Sequence, residues 1–218
     1  METGEALDCQ SRSCLCPKKN RRDRLIRLAE QHADIALGFE DEVWWSREAQ
    51  PQMHTWCEEA PLHLVEKQVA AKDPEAKAIA CYGLYLPQLH QMLLRFVCGR
   101  PVSAVTCLLL AWLTTYFAAP GKRARVLIWD HASWHSSQEV RQWIRAHNRT
   151  VKQRGGCRLI MCRLPSKSPW LNPIEPKWVH GKRAVSEPVR TLAVAELRQR
   201  ICTYDNCALE DLIVQEDC

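Results

Sequence analysis

Apolar residues recur along the chain with two periods, and the switches between them mark out elements. From Ile35 to Trp45 apolar side chains dominate a run with acids at its centre, which predicts a strand. Leu62 to Val69 and Ala78 to Leu86 predict two more strands, and Met92 to Val97 a short fourth. The stretch Val102 to Ala119 carries no charge and is bracketed by Pro101 and Pro120. Its 18 residues reach the lower limit for a membrane span. Ser103, Thr106, Thr114 and Thr115 interrupt it, however, and no second apolar segment accompanies it. A helix buried against a sheet is therefore expected, with no membrane partner.

Arg125 to Trp129 holds Val126, Leu127 and Ile128 in an unbroken run, the pattern of a strand covered on both faces. Ser137 to Asn148 places Val140, Trp143 and Ile144 on one side of a helix. The pair Gly155-Gly156 breaks the chain, and Cys157 to Leu164 predicts the next strand. Pro165 to Pro173 reads as a loop, a helix starts at Ile174, and Thr191 to Tyr204 forms the last helix. At the amino end, residues 1–17 show no periodicity and are expected to be disordered. Lys18 to Gln31 predicts a short basic helix with Leu25, Ile26 and Leu28 as its apolar residues. Residues 205–218 receive no role. The order predicts an α/β domain over residues 18–204, a mixed sheet with helices on both faces. Its length suits one well-cored unit.

Charge sharpens this picture. The chain is +5 overall, yet the stretch Lys122 to Arg200 holds 17 Lys and Arg against five acids. A basic field around a few acids suits a polyanion brought to an acidic site; a solvated basic surface is the ordinary alternative. The 12 cysteines include no C-x-x-C pair, and the first 15 residues lack the apolar core of a secretory signal, so reduced intracellular thiols are expected.

Three acids stand where chemistry would use them. Asp41 lies inside an apolar strand, where an acid is costly unless it is paired or bound to a metal. Asp130 ends the buried strand Val-Leu-Ile-Trp-Asp, and ligands of open α/β sheets bind beyond such strand ends. Glu175 follows Leu-Asn-Pro-Ile at a helix start. Each has an ordinary alternative: an exposed strand residue, a helix cap and a first-turn acid, respectively.

The flanking residues carry a resemblance. Leu164 to Trp178 (L-P-S-K-S-P-W-L-N-P-I-E-P-K-W) resembles the third-carboxylate box of transposases of the insertion-sequence-630 branch of the mariner-like superfamily. Trp129 to His135 (W-D-H-A-S-W-H) is similar to their second box, and Phe39 to Arg47 to their first. The spacing agrees, with 88 residues between Asp41 and Asp130 and 44 between Asp130 and Glu175.

This resemblance implies a ribonuclease-H-like fold. It also implies a DDE catalytic domain in which Asp41, Asp130 and Glu175 hold two divalent metal ions, normally Mg²⁺, with Mn²⁺ able to substitute. Such a pair clamps an in-line displacement at phosphorus, and carboxylates are the donors that hard cations take. The implied activity is metal-dependent DNA strand cleavage and strand transfer. Double-stranded DNA, both transposon ends and target, is the implied partner, and the protein is expected to form a homodimer. The location expected is a bacterial cytoplasm, at the nucleoid when DNA-bound. Glu42, His135, Asn172 and Lys177 are expected in supporting or DNA-contacting roles, with Ser168 shaping the loop before Glu175.

The chain departs from the family in two places. Only 40 residues precede Asp41, where full-length members carry helix-turn-helix modules, so an amino-terminal truncation is expected. His131 stands where the family usually has Asn. A second function therefore stays open: an inactive, truncated remnant that binds DNA or a full-length transposase without catalysis.

Overall fold

Strands β1 (Ile35–Ser46), β2 (Ala78–Leu86), β3 (Gln91–Val97), β4 (Ala124–Trp129) and β5 (Arg158–Arg163) form one sheet in the order β3-β2-β1-β4-β5. The computed structural model describes residues 5–48, 73–118, 121–187 and 190–214. The strand expected over Leu62–Val69 lies outside them. β1 pairs antiparallel with β2, and β2 antiparallel with β3. β1 pairs parallel with β4, and β4 parallel with β5. This mixed sheet flanked by helices is ribonuclease-H-like, as the resemblance implied.

Helices α1 (Glu5–Gln31), α2 (Ser103–Ala118), α3 (Gln138–Arg154), α4 (Glu175–Val185) and α5 (Val194–Tyr204) cover the sheet, with a 3-10 turn at Pro169–Leu171. Side chains alternate along a strand, so each strand feeds two cores. On one face, Ala36, Tyr82, Leu84, Leu127 and Trp129 pack against Val105, Leu109 and Leu113 of α2 and Val140 of α3. On the other, Val43, Trp45 and Cys81 meet Trp178 of α4 and Leu197 and Ile201 of α5. Beside them, Leu37, Phe39, Val126 and Ile128 meet Leu25 and Ala29 of α1. The strands expected from Arg125, Ala78 and Met92, and the buried helix after Pro101, all form within a residue or two of their expected bounds.

Two expectations are corrected, and the segment left without a role gains a place in the fold. The first helix begins at Glu5, so the segment 5–17, expected to be disordered, is helical. Periodicity reports a buried face; a helix can also extend by propagation from a packed end, here Leu25 and Ala29. α3 runs on to Arg154 and stops at Gly155, whose φ of 80° suits glycine. Past Ile144 its anchors are polar. The Asn148 amide donates to Leu159 O and accepts from Leu159 N, both at 2.9 Å. Hydropathy does not register such contacts. The segment after Tyr204 returns to the sheet: Ile213 bridges Val97, its N–H donating to Phe96 O at 2.8 Å. Among the described residues, no helix is long and apolar enough to cross a membrane.

Candidate active site

Glu40, Asp41 and Glu42 are consecutive on β1, so the pleat must send them to opposite faces. Asp41 falls on the side of Val43 and Trp45, toward α4. Glu40 and Glu42 fall on the side of Ala36, toward α2 and α3.

Asp41 is 8% exposed, and the Trp178 indole donates to its Oδ2 at 2.8 Å. Gly83, the cross-strand partner of Asp41, makes room for that indole. A Cβ at Gly83 would lie 2.1 Å from the Trp178 ring. Burial, and then the charge of Glu175, push the Asp41 carboxyl up to about 7. Trp178 lies three residues after Glu175, on the same side of α4.

Asp130 follows β4 and opens the turn to α3. Its Oδ1 accepts from Ala132 N at 2.7 Å and from His135 Nδ1 at 2.9 Å. Burial works to raise this carboxyl, but the His135 bond and the Ala132 N–H outweigh it and hold it below the usual range. Its Oδ2 makes no hydrogen bond among the described residues. Glu175 opens α4. Its carboxyl is raised by burial and then by the charge of Asp130. Asp41, Asp130 and Glu175 therefore feel one another's charge in all three pairings.

A cleft of about 310 Å³ is lined by Asp130, His131, Ser166, Lys167, Asn172 and Glu175, among others. Asn172 is buried and donates to Glu40 O at 3.3 Å, which ties the loop before Glu175 to β1. Ser168 is buried in the same loop. His131 lines the cleft and accepts from the Lys18 ammonium of α1 at 2.9 Å; burial, then Lys18, lower its pKa. Lys177 lies away from the cleft lining, its ammonium 4.3 Å from the centre of the Tyr85 ring.

Glu42 faces away from Asp41. It accepts from the Trp134 indole and lies 2.8 Å from His135 Nε2. Three residues in this region escaped the sequence reading: Glu40, Trp134 and Trp178. All lie inside the quoted boxes. The available signal was the run of three acids in one strand, which cannot all face one site.

Residues 105–198 match the DDE superfamily endonuclease family, a span that contains Asp130, His135 and Glu175 but not Asp41. No curated protein matches the sequence. The fold is similar to that of the Mos1 transposase paired-end complex with left transposon end, with TM-score 0.62 and 13% identity. That match covers 95% of this chain and 57% of the other. The Mos1 mariner paired end complex with Mn matches with TM-score 0.62 and 14% identity over 94% of this chain and 56% of the other. The catalytic domain of Mos1 mariner transposase matches with TM-score 0.56 and 11% identity, over 95% of this chain and 85% of that domain. The chain thus has a DDE transposase catalytic-domain fold and spans little more than half the length of the whole Mos1 chains.

Proposed function

We propose that this chain is the catalytic domain of a DDE transposase of the insertion-sequence-630 branch, which cleaves and joins DNA strands with divalent cations. The observation that carries this reading is that Asp130 and Glu175 line one cleft, while Asp41, outside that lining, lies near enough for its carboxyl to be raised by the charge of both. The three come from the middle of β1, the end of β4 and the start of α4, and each raises or feels the charge of the others.

Their chemistry fits a hard divalent cation such as Mg²⁺ or Mn²⁺, which takes carboxylate oxygens. A carboxyl held near neutrality by burial and a neighbouring acid is a group that a cation would relieve. Bound there, a pair of cations would supply a polarised nucleophile and stabilise a leaving oxygen in an in-line displacement at phosphorus. The chain's own residues prepare for this. Trp178 fixes one oxygen of Asp41, and Ala132 and His135 fix one oxygen of Asp130. Asn172 holds the loop that delivers Glu175. Lys167 on the cleft wall supplies a cation for a backbone phosphate. Double-stranded DNA is the substrate in this reading, and a second copy of the chain is the partner that would pair two DNA ends.

The test is nicking of supercoiled plasmid in Mn²⁺ or Mg²⁺. Asp41→Asn, Asp130→Asn and Glu175→Gln should each abolish nicking while near-ultraviolet circular dichroism stays as in the parent. A variant that kept normal cleavage would remove its residue from the assignment. A parent that binds DNA but nicks nothing would favour the non-catalytic remnant.

A further inference from the structure

Behind the cleft, on the opposite face of β1, lies a buried cluster. Glu40 is fully buried, and neither of its carboxylate oxygens has a hydrogen-bond partner among the described residues. The His135 side chain is also fully buried. Its Nε2 lies 2.8 Å from Glu42 Oε1 and 3.3 Å from Glu40 Oε2. Its Nδ1 lies 2.9 Å from Asp130 Oδ1. The Trp129 indole stacks on the imidazole, with centroids 4.3 Å apart and planes 10° from parallel. One ring therefore spans from the rear acids to the acid of the cleft, and the tryptophan prevents it from tilting.

The ligand atoms of Glu40, Glu42 and His135 are near enough together to hold a metal ion. The contacts favour a different reading. The oxygen of Glu42 nearest the ring already accepts from the Trp134 indole. The edge of the imidazole already occupies the space between the two glutamates, in ion-pair contact with both though without hydrogen-bond alignment.

We propose that His135 is a positioning residue: through Nδ1 it fixes Asp130 from behind, and through Nε2 it takes its own orientation from Glu42 and Glu40. This rests on the reading of Asp130 as a cation ligand. Two donors on Oδ1 hold the Asp130 carboxylate at the cleft wall and leave its Oδ2 without a hydrogen bond among the described residues. Partners of this kind typically contribute 10- to 100-fold, roughly, to metal affinity.

Two isosteres separate the roles of the ring nitrogens. The amide nitrogen of Asn stands near the place of Nδ1, and that of Gln near the place of Nε2. We would measure Mn²⁺ affinity by calorimetry, with near-ultraviolet circular dichroism as the check of fold. The proteins are the parent, Asp130→Asn, His135→Asn, His135→Gln, Glu42→Gln and the double variant Asp130→Asn/His135→Gln.

His135→Gln should bind Mn²⁺ about 10- to 100-fold more weakly, and His135→Asn should recover much of that loss. Glu42→Gln should weaken binding in the same direction. In the Asp130→Asn background, His135→Gln should cost nothing further, because both act through one carboxylate. A merely structural histidine would lower the melting temperature in both isosteres alike and leave the affinity unchanged, which would overturn the proposal. If His135→Gln does not fold, Glu42→Gln decides, and parental affinity there overturns it. Binding that survives Asp130→Asn but is lost in Glu42→Gln would place the metal in the rear cluster and also overturn it. A parent that binds no Mn²⁺ defeats the metal-centre reading itself, and the proposal falls with it.

Discussion

At the scale of single residues, Asp41 is where folding and the proposed chemistry conflict. Its carboxyl rises from an ordinary 3.8 to about 7, first through burial and then through Glu175. The folded chain therefore holds this proton more tightly than the unfolded chain does. Below pH 3.8 both states are protonated and nothing is lost. As pH rises toward about 7, the metal-free fold loses stability. At roughly 1.4 kcal/mol per pH unit, the loss between pH 5 and 7.5 is on the order of 3 kcal/mol. Urea unfolding at the two pH values should show this drop in the parent and a smaller one in Asp41→Asn. Mn²⁺ should restore stability to the parent at the higher pH. Equal slopes in both proteins would mean that Asp41 is not under this strain.

At the scale of elements, the pairing of β1 with β2 and the packing of α4 act together through Gly83. A side chain there would strike the Trp178 ring, and the ring cannot swing aside as a flexible chain end could. Gly83→Ala should cost about 1–3 kcal/mol by overpacking. It should also weaken Mn²⁺ binding, because Trp178 would leave Asp41. Trp178→Phe should reproduce the affinity loss with less damage to packing. The same elements show what could be read from sequence. Val126 to Ile128 announced a buried strand because nothing but a two-sided core accepts such a run. Asp41, Asp130 and Glu175, the carboxylates of the proposed site, stand out in the sequence through their flanks and not through their own surroundings. The Trp178 donor was not visible, since a tryptophan near an acid in sequence says nothing of where its N–H points. The end of α3 was missed for a related reason, because Asn148 anchors it with an amide and not an apolar face.

At the scale of the whole molecule, the sheet has β3 at one edge, and the chain after α5 covers part of it. Ile213 donates to Phe96 O and accepts from Cys98 N at 3.0 Å. Removing residues 209–218 should bare that edge and promote self-association. Light scattering at rising concentration would detect it, and an oligomeric state unchanged from the parent's would show that the bridge has no protective role. The charged cluster behind the sheet has a different consequence, one that concerns substitution. Buried ionic groups are often replaced by well-packed apolar residues with no loss of stability, or with a gain. Exchange of Glu40, Glu42 and His135 as a set for a greasy core is thus compatible with folding, whereas loss of one partner alone leaves a buried charge uncompensated and destabilises the fold. The three side chains are therefore tied to one another: the cluster can be given up together, but not one member at a time.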